Sequence, residues 1–225
     1  MNYLQLCKKV AQECGTIAGV PRITTVAGAA GRVANLTNAV RDAWIDIQNE
    51  RTDWLWMRLD FEKPLTIGQM EYAPADWALT DVGKWLGDTP SHYAMTIYEA
   101  GERGQESDLF QIDWPTFRRR YLFGEHDANR PTEWSITPQG KIAFGNKPDK
   151  AYIVRGEYRQ KAQELTIDTD EPEMPEEYHL VIVAEAIRQL ARSDEAWQVV
   201  AEKGQQYDAR RNALVIDQTP SMTTL

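Results

Sequence analysis

The sequence predicts an α+β fold: a four-helix bundle interrupted by an inserted antiparallel β-sandwich-like module. Three observations carry this reading. Apolar residues recur at three- and four-residue steps as far as Met57. From Leu59 to Arg159 the period changes to two. Helical spacing then resumes at Pro175-Glu176-Glu177-Tyr178-His179 and runs to Asn212.

The elements follow in order. Residues 2–14 read as a helix, with Leu4, Leu6, Cys7, Val10, Ala11 and Cys14 at helical spacing and Gly15 as its stop. Residues 16–32 are small and glycine-rich, an extended loop with room for a short strand at Ile23–Val26. The second helix is predicted over 33–57, on the stripe Val33, Leu36, Val40, Ala43-Trp44, Ile47 and Trp54-Leu55. Arg51 interrupts that stripe, and its stem can cover apolar surface while the guanidinium reaches an acidic partner. Trp44 and Trp54 fall on the stripe and should be buried. Trp56 falls off it and is the better candidate for contact with the β module or a neighbour.

Strands are expected at Leu59–Ile67, Gln69–Ala73, Tyr93–Glu99, Leu109–Asp113, Glu133–Thr137, Lys141–Phe144 and Ala151–Arg159, separated by Gly-, Pro- and Asn-containing turns. Trp114–Tyr121 is more helical, with Pro115 at a first-turn position. Glu164 to Glu177 holds seven carboxylates and no basic residue, which reads as a solvated connector. Pro175 then opens a helix with the stripe Leu180, Val183-Ala184, Ile187 and Leu190-Ala191. A break near Ser193-Asp194 precedes a last helix through Trp197, Val200-Ala201, Gly204 and Tyr207. The final residues carry Leu214, Val215, Ile216, Met222 and Leu225 without helical period, and read as an extended arm that docks a partner by adding a strand or filling a groove. The organisation predicted is therefore a discontinuous helical domain (1–58 plus 173–213), a β-rich insertion (59–160), an acidic connector (161–172) and a C-terminal arm (214–225).

Composition narrows the function. The net charge of −9 argues against a protein that coats nucleic acid through phosphate contacts, which needs clustered Lys and Arg. No apolar run approaches the ~20 residues needed to span a bilayer. Cys7 and Cys14, roughly 10 Å apart on one helix, cannot form a disulfide there and are expected reduced, as in a protein made in a cytoplasm. His92, His126 and His179 show no metal-ligand spacing. Ala27-Gly28-Ala29-Ala30-Gly31-Arg32 lacks the spacing and the Lys-Ser/Thr ending of a phosphate loop. Asp168-Thr169-Asp170-Glu171-Pro172-Glu173 lacks the glycine bend and ligand rhythm of a calcium loop. No cofactor, metal or catalytic constellation is expected. The one basic cluster, Arg118-Arg119-Arg120 between Phe117 and Tyr121, fits either a nucleic-acid contact or an acidic surface on a neighbouring subunit. Eight Trp spread over every segment supply core filler and, at interfaces, anchors. Candidate partner-binding residues are thus Trp56, Arg118, Arg119, Arg120, Leu214, Val215, Ile216, Met222 and Leu225.

Several runs resemble a known family. Cys14-Gly15-Thr16-Ile17-Ala18-Gly19, Thr25-Val26, Gly31-Arg32, Val40 through Gln48 and Asp53 through Arg58 are similar to the N-terminal region of head-to-tail adaptor (connector, or neck) proteins of tailed bacteriophages. Tyr158, Leu165, Asp168 and the helix opened by Pro175-Glu176-Glu177-Tyr178-His179, with Ala184 and Ala186, agree; the likeness covers about two-thirds of the chain. The resemblance implies a structural virion protein and no enzyme, made in the host cytoplasm and located in the virion neck. It implies a ring, commonly of about twelve subunits, beneath the portal. The helical domain would form the ring, the β insertion would point outward or toward the tail, and a C-terminal segment would reach the portal. Its partners would be the portal protein, neighbouring subunits and a tail-side protein, with packaged DNA passing through the channel without sequence-specific binding. A tail-completion or tail-tube protein of the same neck is the nearer alternative. A carbohydrate-binding or hydrolytic virion module, stacking Trp and Tyr on sugars, is the alternative from another class.

Overall fold

The computed structural model describes residues 1–14, 23–89, 93–195 and 197–220, with only the backbone of Trp197, Val199 and Val200. The fold is α+β. The chain divides into two compact units, one of residues 1–57 with 162–225 and one of residues 58–161.

The first unit is helical. α1 (Tyr3–Glu13) starts in a reciprocal cap: the Asn2 side chain accepts from the Gln5 N–H, and Gln5 Oε1 accepts from the Asn2 N–H, both at 2.9 Å. Tyr3, Leu6, Cys7 and Val10, one face by spacing, are its buried residues. α2 (Gly31–Glu50) buries Leu36, Val40, Ala43, Trp44 and Ile47. It ends seven residues short of the predicted Met57, because Arg51 turns extended and binds Asp53 in a fork. A single 3₁₀ turn, Leu55–Met57, follows. Trp54 is fully buried as expected, but from this turn and not from the α2 stripe; its Nε1 donates to the Ile47 carbonyl at 2.9 Å.

α4 (His179–Ser193) packs against α1, α2 and α5 (Trp197–Gln218). Burial of Val181 through Ile187 on all sides makes it the central helix, where the sequence suggested a one-sided stripe. The acidic connector is likewise part of this core. Gln48, fully buried, donates to the carbonyls of Trp44 and Gln163 and accepts from the Gln163 N–H, and Trp44 Nε1 donates to Gln163 Oε1. Leu165 and Met174 are buried, the backbone carbonyls of Asp168 and Asp170 accept from the α1 N–H groups of Leu4 and Tyr3, and the Asp168 carboxylate accepts from the Val26 N–H. Its carbonyls and carboxylates both take backbone N–H groups, which is why the stretch is not merely solvated.

The second unit is one curled sheet around an aromatic core. Its strands are β1 (Arg58–Pro64), β2 (Glu71–Tyr72), β3 (Val82–Trp85), β4 (Met95–Glu99), β5 (Ser107–Gln111), β6 (Glu133–Ile136), β7 (Ile142–Gly145) and β8 (Tyr152–Gln160). They run in the order β1-β8-β4-β5-β6-β7-β2, with β3 also on β8. Trp77 meets Phe61 of β1, Tyr72 of β2, Trp85 of β3 and Phe144 of β7 at centroid distances of 5.0–6.4 Å. Side chains from both ends of the sheet therefore share one core, which requires the sheet to curl; among the described residues the strands join in one sheet. The pairing is also not wholly antiparallel: β5 and β6 run parallel. A parallel pair needs a crossover, and α3 (Trp114–Phe117), continued by a wide π-turn at Arg118–Leu122, lies in the connection. β3 escapes the sequence pattern because it is short and its register slips at Gly83. A Cβ there would stand 2.8 Å from the Gln160 carbonyl oxygen, so the close approach requires glycine.

Candidate interaction surfaces

In the helical unit the C-terminal residues do not form an extended arm. α5 continues through Leu214, Val215 and Ile216 to Gln218, and Pro220 follows its end. Leu214 is fully buried in the helical core and Val215 packs half-buried against it. Ile216 is 81% exposed, so of these three it alone presents its side chain to a partner. Met222 and Leu225 lie outside the described residues. α5 is fastened by polar groups as well: Glu50 at the end of α2 accepts from Tyr207 Oη at 3.3 Å and from Arg211, and Arg188 binds Glu185 and lies 5.5 Å over the Tyr207 ring. Burial holds the Tyr207 phenol protonated, its pKa raised by desolvation first and by Glu50 next.

Trp56 stacks on Trp54 at 4.3 Å and is half-buried, while its indole N–H is buried without an acceptor among the described residues. Next to it Leu55 is 40% exposed. The 3₁₀ turn that follows α2 thus presents an apolar edge, which the aromatic run Asp53-Trp54-Leu55-Trp56 foreshadowed.

The three arginines of the β module separate in role. Arg120 binds Glu133, which also accepts from Tyr121 Oη at 2.8 Å. Tyr121 is seated against Gly145, where a Cβ would come within 2.6 Å of its ring. Arg118 leans over Phe123 at 5.9 Å, and Arg119 forms no ion pair among the described residues. Phe123 itself is 61% exposed. Two cations and a ring therefore face outward from a turn held by the third arginine.

The module also carries an open groove of about 360 Å³, lined by Asp60, Glu62, Glu106, Glu157, Arg155 and Tyr93 among others. Period-two alternation turns Asp60 and Glu62 outward while Phe61 between them is buried. Arg155 serves both Glu62 and Glu106, and Arg58 serves Glu157. The Thr96 hydroxyl and then Arg155 hold the Glu106 carboxyl below the usual range. At its rim, exposed Tyr93 meets exposed Phe110 edge-on at 5.0 Å. Sequence reasoning passed over both, although Phe110 follows buried Leu109 within β5 and so alternates outward.

Candidates for chemistry do not assemble. Among the described residues no group of three or more His, Cys, Asp or Glu could hold a metal ion, and no helix is long and apolar enough to cross a membrane. His179 is buried and His126 is exposed with Nε2 at 2.9 Å from the Phe123 carbonyl; His92 lies outside the described residues. Both cysteines are free, and burial pushes the Cys7 thiol up to about 12, so it stays protonated and inert. Arg32, in the first turn of α2, is committed to Asp194.

No curated protein shows significant similarity to the chain. The family model described as SU10 adaptor protein matches residues 1–224. That match spans both units and agrees with the likeness of the two helical regions to phage head-to-tail adaptors. The chain belongs to the SU10 adaptor protein family.

Proposed function

We propose that this phage adaptor joins capsid to tail as a ring beneath the portal, with about twelve copies arranged by rotation. The observation that carries the reading is the match of the adaptor family over residues 1–224. Physical features support it. Each copy in a ring must offer two different surfaces to its neighbours, and several exposed side chains fall into separate sets: Leu55 beside half-buried Trp56, Ile216, and Arg118, Arg119 and Phe123. In this reading the helices α1, α2, α4 and α5 form the bundle that builds the ring wall. Ile216, with Met222 and Leu225, reaches the portal, and the β module meets the tail side or a neighbour. The net charge of −9 lets packaged DNA pass without adhering to the wall. The same charge keeps the free protein monomeric, so the ring forms where the portal raises the effective concentration.

The test is direct. Purified full-length protein, monomeric by light scattering, is added to portal-bearing capsids and imaged by electron microscopy. A ring of density with about twelvefold symmetry beneath the portal is expected. Capsids that bind no protein at that vertex refute the reading.

A further inference from the structure

We infer that the β module carries a head-to-tail contact between copies of this chain. In it, the Arg118–Phe123 turn of one copy seats in the acidic groove formed by β1, β8 and β4 of the next. The inference rests on the ring reading in so far as the ring supplies the neighbour.

Charge complementarity comes first. The groove is lined by four carboxylates, those of Asp60, Glu62, Glu106 and Glu157, which Arg155, Arg58 and Arg103 answer only in part. Asp60 has no cation partner among the described residues. The turn offers the opposite sign: Arg120 is tied to Glu133, while Arg118 and Arg119 form no ion pair among the described residues, Arg119 feeling only the nearby Asp113 carboxylate. Arg118 is already stacked on Phe123, so cation and ring project as one unit.

Apolar complementarity is the second observation. Phe123 is 61% exposed and Leu122 beside it 40%, on a turn anchored from beneath by Tyr121. The groove ends in the exposed Tyr93–Phe110 pair, whose ring edges can receive another aromatic face. Arginine and aromatic residues are enriched at the cores of protein interfaces.

Position sets the kind of contact. The turn rests on Glu133 of β6 and Gly145 of β7, whereas the groove belongs to β1, β8 and β4. In the order β1-β8-β4-β5-β6-β7 they stand on different strands, with β5 between them. Two complementary patches at different places on a molecule make a heterologous contact, which propagates from copy to copy and closes when the rotation allows.

The experiment uses the full chain carrying Asp60→Cys together with Phe123→Cys, bound to portal-bearing capsids and mildly oxidised. A ladder of covalent multimers on a non-reducing gel is expected, absent from each single-cysteine variant, which controls for Cys7 and Cys14. A dimer band alone means two-fold pairing and overturns the head-to-tail contact. Rings visible by microscopy without any cross-link overturn the contact and leave the ring reading intact. A ladder formed where no ring is seen keeps the contact and sinks the ring. Charge reversal is the independent arm: Asp60→Arg or Arg119→Glu alone should lower ring occupancy on capsids about tenfold, and the two together should restore it to within about threefold. Losses that add in the double variant, with melting temperatures unchanged, contradict the pairing.

Discussion

At the scale of residues, His179 shows how burial decides protonation. It opens α4, and its side chain is almost wholly out of water. Its Nε2 lies 3.1 Å from the Met174 carbonyl and its Nδ1 2.7 Å from the Met1 amino nitrogen. Nε2 therefore donates, and Nδ1 accepts from the ammonium. Burial is the main cause that lowers its pKa, and the ammonium adds to it. A group whose folded pKa lies below its unfolded value binds a proton more readily unfolded, so its neutral contacts are fully available above the ordinary histidine value of about 6.5 and stability falls as pH drops through it. His179→Gln keeps a donor and an acceptor but does not titrate. The expected result is a wild-type melting temperature that falls relative to His179→Gln between about pH 7 and pH 5. A gap between the two proteins that does not change with pH contradicts this.

At the scale of elements, α5 stands out because its last two turns were expected to leave the core. Tyr207, Arg211, Leu214 and Val215 repeat at four, three and one residues, which places them on one side of a helix. Arg211 and Tyr207 bind Glu50 of α2, and Leu214 fills the core beside them. Deleting residues 214–225 therefore removes a core side chain and not just a docking segment. Leu214→Ala alone should cost ~2–5 kcal/mol of stability, the usual range for a buried leucine. Denaturant unfolding followed by tryptophan fluorescence measures it. An unchanged midpoint would show that Leu214 is not in the core.

At the scale of the whole molecule, the second unit stands on its own core. The buried cluster of Phe61, Tyr72, Trp77, Trp85, Met95, Trp134, Phe144 and Tyr158 draws only on residues between 58 and 161. Arg58 pairs with Arg159 across β1 and β8, so the ends of this stretch are neighbours. Roughly a hundred residues suffice for an independent domain. Residues 58–161 expressed alone should unfold in one cooperative transition with native tryptophan fluorescence. A gradual, non-cooperative melt would show that the module depends on the helical unit.

Local physics made much of this legible in the residues. The change of period from 3.6 to two and back marks where helices give way to strands, because a helix and a strand repeat their faces at different intervals. Aromatic and apolar runs also carried the likeness to the adaptor family. Specific partners, near and far along the chain, decided the rest. Trp54 is buried through a carbonyl seven residues back, and α2 ends where Arg51 finds Asp53. The acidic stretch joins the core because Gln48 and the α1 N–H groups consume its polar atoms. Leu214-Val215-Ile216, two of them β-branched and the run without obvious period, becomes helical because Glu50 and the core lie within reach. The outward groove and the Arg118–Phe123 turn are built from strands and turns distant in sequence. Periodicity is a property of neighbours along the chain, so the sequence determined the kind and order of most elements. Curling of the sheet, the parallel β5–β6 pair, the centrality of α4 and the exposure of Phe123 depend on which surfaces meet, and only the tertiary structure decided them.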